Sequence, residues 1–252
     1  MASDRTPVPL ESGSRHLGCW LKLPSPVTAE AASLLGFDYL CIDMQHGLVD
    51  RNDLLALLQA THPHTRRTLV RVSANDPSTI GWCLDAGATG VIVPLVNSAA
   101  EAEAAVRSCQ YPPVGLRSTG PTRASLVYGS DYVAEAESFV QCIPMIETTT
   151  ALESLDEILS VAGVNIVYVG PSDLSMNLGL GPGDHDGEEA FDEVLSMIVD
   201  ACERHGVMPG IHANAALAPR RLDQGFTMVT VAEDLGGMRE AMSGTLESVR
   251  NH

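Results

Sequence analysis

The sequence predicts an α/β chain folded as a (β/α)8 barrel. Short apolar runs alternate with helix-like segments eight times along 252 residues, the rhythm of parallel strands joined by helices. Charged and imidazole residues fall just after several of these runs, while the runs themselves are almost free of charge, as the functional rim of such a barrel requires. The rival, an open doubly wound sheet, wants a Gly-rich turn after its first strand. Trp20-Leu-Lys-Leu-Pro24 is not one, and no Walker-type phosphate loop is present.

Residues 1–16 read as a flexible polar tail and 17–252 as a single barrel domain. The first strand covers 17–21, and a helix over 26–35 is closed by Gly36. Strand two, 39–42, runs into Asp43-Met-Gln-His46-Gly47, and Asp50 or Asn52 caps the next helix. Strand three is 68–72, with Arg71 at its end. Asp76-Pro77 starts a helix with proline in the first position. Strand four, 90–93, stops at Pro94, and an alanine-rich helix covers 98–109. Residues 110–132 break the rhythm with Pro, Gly, Ser and Arg, and a loop of that length is usually functional. Strand five is 139–146, followed by Glu147 and a helix over 149–161. Strand six is 165–169. A second irregular stretch, 179–187, holds four glycines with Pro182 and His185. A helix covers 188–205, strand seven 207–211 and strand eight 226–231, and a last helix runs to about Val249.

Fifteen basic against 32 acidic residues give a net charge of −17. That argues against nucleic acid or an anionic membrane as partner, so an anionic substrate needs a local cation. No apolar run approaches the ~20 residues that span a bilayer. Residues 1–11 lack an apolar signal core, which leads us to expect a cytoplasmic protein. The six cysteines show no close paired spacing; they read as reduced core residues, not zinc ligands.

The densest chemistry lies in Ile166-Val-Tyr-Val-Gly-Pro-Ser-Asp-Leu-Ser175. A buried strand ends at Gly170-Pro171, and Ser172 and Asp173 offer cap-type side chains to a helix start. Free N–H groups at that start favour an anion. A carboxylate at the same spot conflicts with an anion unless a cation lies between them; the alternative is that Asp173 only caps its helix. Glu147 and Asp173 end adjacent strands, which lie about 4.7–4.9 Å apart. They could grip one Mg²⁺ at about 2.0–2.1 Å, or Mn²⁺ or Co²⁺. An acid/base pair of the glycosidase kind is the other use for two close carboxylates, with few aromatics here for a sugar platform. Arg71 either forms a structural salt bridge or stabilises an oxyanion. Asp43 and His46 suit a carboxylate-oriented general acid/base. His212 lines the pocket or caps its strand.

Ile42-Asp43-x-x-His46, Arg71 after Leu-Val, Tyr111-Pro-Pro-x-Gly115-x-Arg117, Ile146-Glu147-Thr148 and Gly170-Pro171-Ser172-Asp173-Leu174-Ser175 follow in that order. Together they resemble the HpcH/HpaI aldolase family over nearly the whole chain. The resemblance implies a class II, divalent-metal-dependent aldolase that reversibly cleaves a 4-hydroxy-2-oxo acid to pyruvate and an aldehyde through a metal-stabilised enolate. It also implies a homo-oligomer, a hexamer of exchanged-helix dimers. Carried over, Glu147 and Asp173 hold the metal, Arg71 the keto oxygen, and His46, oriented by Asp43, the aldehyde oxygen. Backbone groups at Gly170, Ser172 and Asp173 hold the pyruvate carboxylate. Gln45 and Met145 stand where many members have Glu and Gln, and both touch the pocket. Residues 110–132, with Arg117 and Arg123, and the stretch around His185 are expected to help choose the aldehyde. The alternatives are an oxaloacetate-type decarboxylase or other enolate-forming acyl lyase, and a non-catalytic barrel that binds 2-oxo acids.

Overall fold

A computed structural model describes residues 7–181, 183 and 185–251; Pro182, singled out above, lies outside them. The strands are β1 (His16–Leu21), β2 (Tyr39–Asp43), β3 (Thr68–Arg71), β4 (Gly90–Val93), β5 (Gln141–Ile146), β6 (Ile166–Val169), β7 (Met208–His212) and β8 (Met228–Glu233). They pair in parallel in sequence order, and β1 closes on β8. The helices are α1 (Pro26–Ser33), α2 (Arg51–Thr61), α3 (Pro77–Asp85), α4 (Ala99–Cys109), α5 (Thr122–Tyr128), α6 (Tyr132–Glu135), α7 (Thr149–Glu153), α8 (Leu155–Leu159), α9 (Pro171–Asn177), α10 (Glu189–His205), α11 (Ala218–Asp223) and α12 (Asp234–Arg250).

Successive strand residues point to opposite faces, and this alternation divides the core into two layers. Trp20, Cys41, Leu69, Ile92, Met145, Tyr168 and Met228 belong to one buried cluster inside the barrel. The residues between them, such as Leu21, Leu40, Ile42, Val70, Val91 and Val167, pack outward against the helices. On α2 the buried Leu54, Leu57 and Leu58 each contribute about 1.5–3 kcal/mol of apolar burial. All six cysteines are free and buried.

Asp50, not Asn52, caps α2, through a reciprocal box with Asp53. The helix expected over 149–161 is broken at Ser154 into α7 and α8. The long loop of 110–132 contains α5, whose Ala124 packs with Tyr132 and Phe139 in a satellite cluster; this cluster draws Phe139 out of β5. Nor is the described part of the expected tail free. Leu10 is buried within the inner-barrel cluster. Its N–H donates to Gln141 Oε1 at 2.9 Å, and Gln141 Nε2 donates back to Leu10 O at 3.0 Å. Since Gln141 begins β5, the segment plugs the amino end of the barrel.

Candidate active site

At the opposite end, where the strands terminate, a cavity of about 190 Å³ is lined by Trp20, Lys22, His46, Arg71, Met145, Tyr168, Gly170, Pro171, Ser172, Asp173 and His212. The inward alternation of each strand places them. Trp20 leads to Lys22, Cys41 to Asp43, Leu69 to Arg71, Met145 to Glu147 and Tyr168 to Gly170, two residues further on in each case.

Asp43 and Arg71 are register partners across β2 and β3. Arg71 Nε donates to Asp43 Oδ1 at 2.9 Å and Nη2 to Oδ2 at 2.5 Å, the fork geometry that suits guanidinium and carboxylate. Trp20 Nε1 also donates to Oδ2, at 3.1 Å. Burial pushes the Asp43 carboxyl up, but the Arg71 fork outweighs it and holds the pKa at about 2. The backbone N–H groups of Gln45 and His46 donate to Oδ1 at 3.0 and 3.2 Å. This corrects the expectation that Asp43 orients the His46 ring: the carboxylate is consumed by Arg71, Trp20 and the turn. It fixes His46 through its backbone, while the imidazole stands exposed at the cavity mouth.

Glu147 follows β5 and is buried. Its Oε1 accepts the Leu95 N–H at 2.8 Å. Leu95 adopts φ 54°, a left-handed conformation a non-glycine residue rarely takes, in the turn after β4. Glu147 Oε2 is buried with no hydrogen-bond partner among the described residues. It lies against Gly170, where an added Cβ would overlap it. Burial, with Asp173 adding like charge, pushes the Glu147 pKa up to about 7. Asp173 sits half-buried in the first turn of α9. The N-cap of that helix is Gly170, with Pro171 next, so Ser172 and Asp173 are not its caps. Their N–H groups belong to the first turn and lack helical partners. No third His, Cys, Asp or Glu joins the pair among the described residues.

His212 packs edge-on against Trp20, with ring centroids 5.1 Å apart, and its Nδ1 is 3.5 Å from Tyr168 Oη. Tyr168 Oη in turn meets Thr230 Oγ1 at 2.6 Å, and Thr230 meets Tyr39 Oη at 2.9 Å. Burial, with the Lys22 charge adding, pushes the His212 pKa down to about 4. The ring is therefore neutral near pH 7.

Gln45 does not line the cavity; Met145 does. Arg117 and Arg123 are not brought to it. Arg117 is buried, pairs with Asp85 at 2.7 Å and lies over Tyr111 at 4.5 Å. Arg123 donates to Ala86 O and Leu58 O. These partners lie at the carboxyl ends of helices α2 and α3, and neither arginine lines the cavity. His185 is bound to Glu188 and Gly181 O and is likewise outside the lining. Conversely, Trp20, Lys22 and Tyr168 line the cavity without having been expected there. Stepping two residues beyond the last inward residue of each strand would have found Lys22.

A parallel barrel with a carboxylate pair, a fixed guanidinium and an imidazole at its carboxyl end defines an enzyme site for an oxygen-rich anionic substrate. The chain belongs to the HpcH/HpaI aldolase/citrate lyase family, whose model matches residues 16–241, and it is a carbon–carbon lyase. It is 42% identical to a hydroxypyruvate/pyruvate aldolase of Rhizorhabdus wittichii over 94% of this chain and 95% of that one. To a 4-hydroxy-2-oxo-heptane-1,7-dioate aldolase of Klebsiella pneumoniae it is 39% identical, covering 89% and 86%. A crystal structure of an HpcH/HpaI aldolase/citrate lyase family protein from Burkholderia cenocepacia superposes with a TM-score of 0.88 at 31% identity, covering 94% and 95%.

Proposed function

We propose that the chain catalyses reversible aldol cleavage of a 4-hydroxy-2-oxo acid to pyruvate and an aldehyde, with a divalent cation held by Glu147 and Asp173. The observation that carries this reading is the buried Oε2 of Glu147, which lacks a partner among the described residues and faces a turn kept clear by Gly170. An unsatisfied buried carboxylate oxygen is costly, and a hard cation answers it with oxygen coordination. Two protein oxygens suit Mg²⁺, Mn²⁺ or Co²⁺, which keep other positions for water and substrate. When bound, the cation supplies Lewis acidity at the keto oxygen.

The chain's own residues do the rest. The first-turn N–H groups of Ser172 and Asp173 receive the substrate carboxylate. Asp43 engages Nε and Nη2 of Arg71, which leaves Nη1 free to donate to the developing enolate oxygen. His46 takes the C4 hydroxyl proton, the C3–C4 bond breaks with its electron pair entering the C2–C3 enolate, and the aldehyde departs. Return of a proton to C3 yields pyruvate. Met145 and His212 bound the pocket, and the Gln45 N–H, donated to Asp43 Oδ1, helps hold the His46 turn.

A homo-oligomer fits α12, which buries none of its residues and exposes Met238, Met242, Leu246 and Val249; the resemblance favours a hexamer. Among the described residues no helix is long and apolar enough to cross a membrane, and six free thiols suit the cytoplasm.

The test is deuterium exchange of the pyruvate methyl group in D₂O with Mg²⁺ or Mn²⁺, with a chelator, and with Glu147→Ala. Metal-dependent exchange, lost in the variant, is expected. No exchange with any metal would sink the reading and leave the decarboxylase or the non-catalytic barrel.

A further inference from the structure

The cavity wall where β1 and β7 end carries Lys22 and His212, and β8 runs between those two strands. The Lys22 ammonium donates to Glu233 Oε2 at 2.5 Å, both side chains being about 30% exposed. The Lys22 backbone is pinned as well: Asp234 accepts the N–H of Lys22 at 2.9 Å and of Leu23 at 3.1 Å. This ties the end of β1 to the start of α12. An ammonium has three hydrogens, and Glu233 takes one. His212 lines the same wall as a neutral imidazole.

Charge decides what this wall can accept. Among the described residues, the two permanent cations lining the cavity are each already matched, Arg71 by Asp43 and Lys22 by Glu233. A divalent cation would be matched by Glu147 and Asp173. The carboxylate of the 2-oxo acid then makes the site net negative. A second carboxylate on the aldehyde would find no unmatched cation and would meet Glu233 beside the only ammonium. A hydroxyl would instead find donors and a neutral imidazole acceptor held in place.

Resting on the aldolase reading, we propose that Lys22 and His212, with Glu233 holding Lys22, form the subsite for a hydroxyl next to the aldehyde carbon. The enzyme thereby selects short hydroxyaldehydes over semialdehyde carboxylates. Lys22 is a specificity residue, and Glu233 both positions it and repels the competing anion.

The experiment compares kcat/KM for three acceptors with pyruvate and Mn²⁺. Glycolaldehyde carries the hydroxyl, propanal replaces it by methyl, and succinate semialdehyde carries a carboxylate. The wild-type enzyme is expected to favour glycolaldehyde over propanal by about tenfold or more. Lys22→Met should shrink that ratio to about threefold or less. Glu233→Gln keeps a hydrogen-bond partner but removes the anion, and should raise succinate semialdehyde relative to glycolaldehyde by about tenfold. If Lys22→Met fails to fold, the Glu233→Gln ratio decides. Wild-type exchange of the pyruvate methyl protons without discrimination among acceptors would overturn this inference alone, as would unmoved ratios in the variants. Absence of that exchange would overturn the aldolase reading and this one together.

Discussion

Asp43 and Arg71 face each other across neighbouring strands and close a two-bond fork inside the barrel mouth. The pair is buried, so its members depend on each other. A guanidinium cannot shed its charge, and a carboxylate here is held ionised by its partner. Asp43→Asn keeps the shape but strands the Arg71 charge, and we expect a loss of about 3–5 kcal/mol in urea unfolding. The pH dependence separates this from a packing effect. Asp43 titrates near 2 when folded against an ordinary 3.8. Its contribution is complete above about pH 4 and is lost as pH falls through 2. That is about 2 kcal/mol of acid-dependent stability, which should be missing from Asp43→Asn. An unchanged acid limb in the variant would refute the coupling.

His212 behaves in the opposite sense from a histidine that gains an anionic partner. Its folded pKa is about 4 against 6.5 unfolded, so the unfolded chain binds the extra proton first. Stability is therefore fully present above about pH 6.5 and drains away as pH falls toward 4, by about 3 kcal/mol. His212→Gln removes the titrating group. Its unfolding free energy should lose this slope between pH 6.5 and 4 while the steeper limb near pH 2–4 persists. A variant with the wild-type slope would place the titration elsewhere.

The barrel was legible because each strand is a short apolar run with charge just beyond it, and that pattern also marked Arg71, Asp173 and His212, which line the cavity, and Glu147, which lies against Gly170 at its edge. What escaped depended on orientation. Asp43 and His46 are three apart in one turn, close enough to suggest a pair, but strand register gives the Asp43 side chain to Arg71. Arg117 and Arg123 occupy a polar loop that looked functional, yet the chain folds it under α2 and α3, far from the rim. Leu10 sits in a polar stretch, and only closure of the barrel supplies the inner-barrel cluster that buries it. Lys22 and Glu233 are ordinary surface residues in sequence; β1 meeting β8, at the two ends of the chain, brings them together.

Gly170→Ala tests the carboxylate pair with a single carbon. The backbone at Gly170 has φ −96° and ψ 94°, extended geometry that alanine adopts freely, so backbone strain contributes nothing. The added Cβ would overlap Glu147 Oε2 and come within 2.9 Å of Met145 Cε. Met145 is flexible and can give way. Glu147 cannot do so cheaply, because turning its carboxyl group sacrifices the Leu95 N–H bond to Oε1, worth about 0.5–1.5 kcal/mol to a neutral carboxyl and about 1.5–3 kcal/mol once it is ionised. We expect a folded protein destabilised by about 1–3 kcal/mol. Its Mn²⁺ affinity, followed by the metal-induced rise in melting temperature, should fall at least tenfold, about 1.4 kcal/mol. Wild-type Mn²⁺ affinity in Gly170→Ala would mean that Oε2 is not the atom that meets the cation.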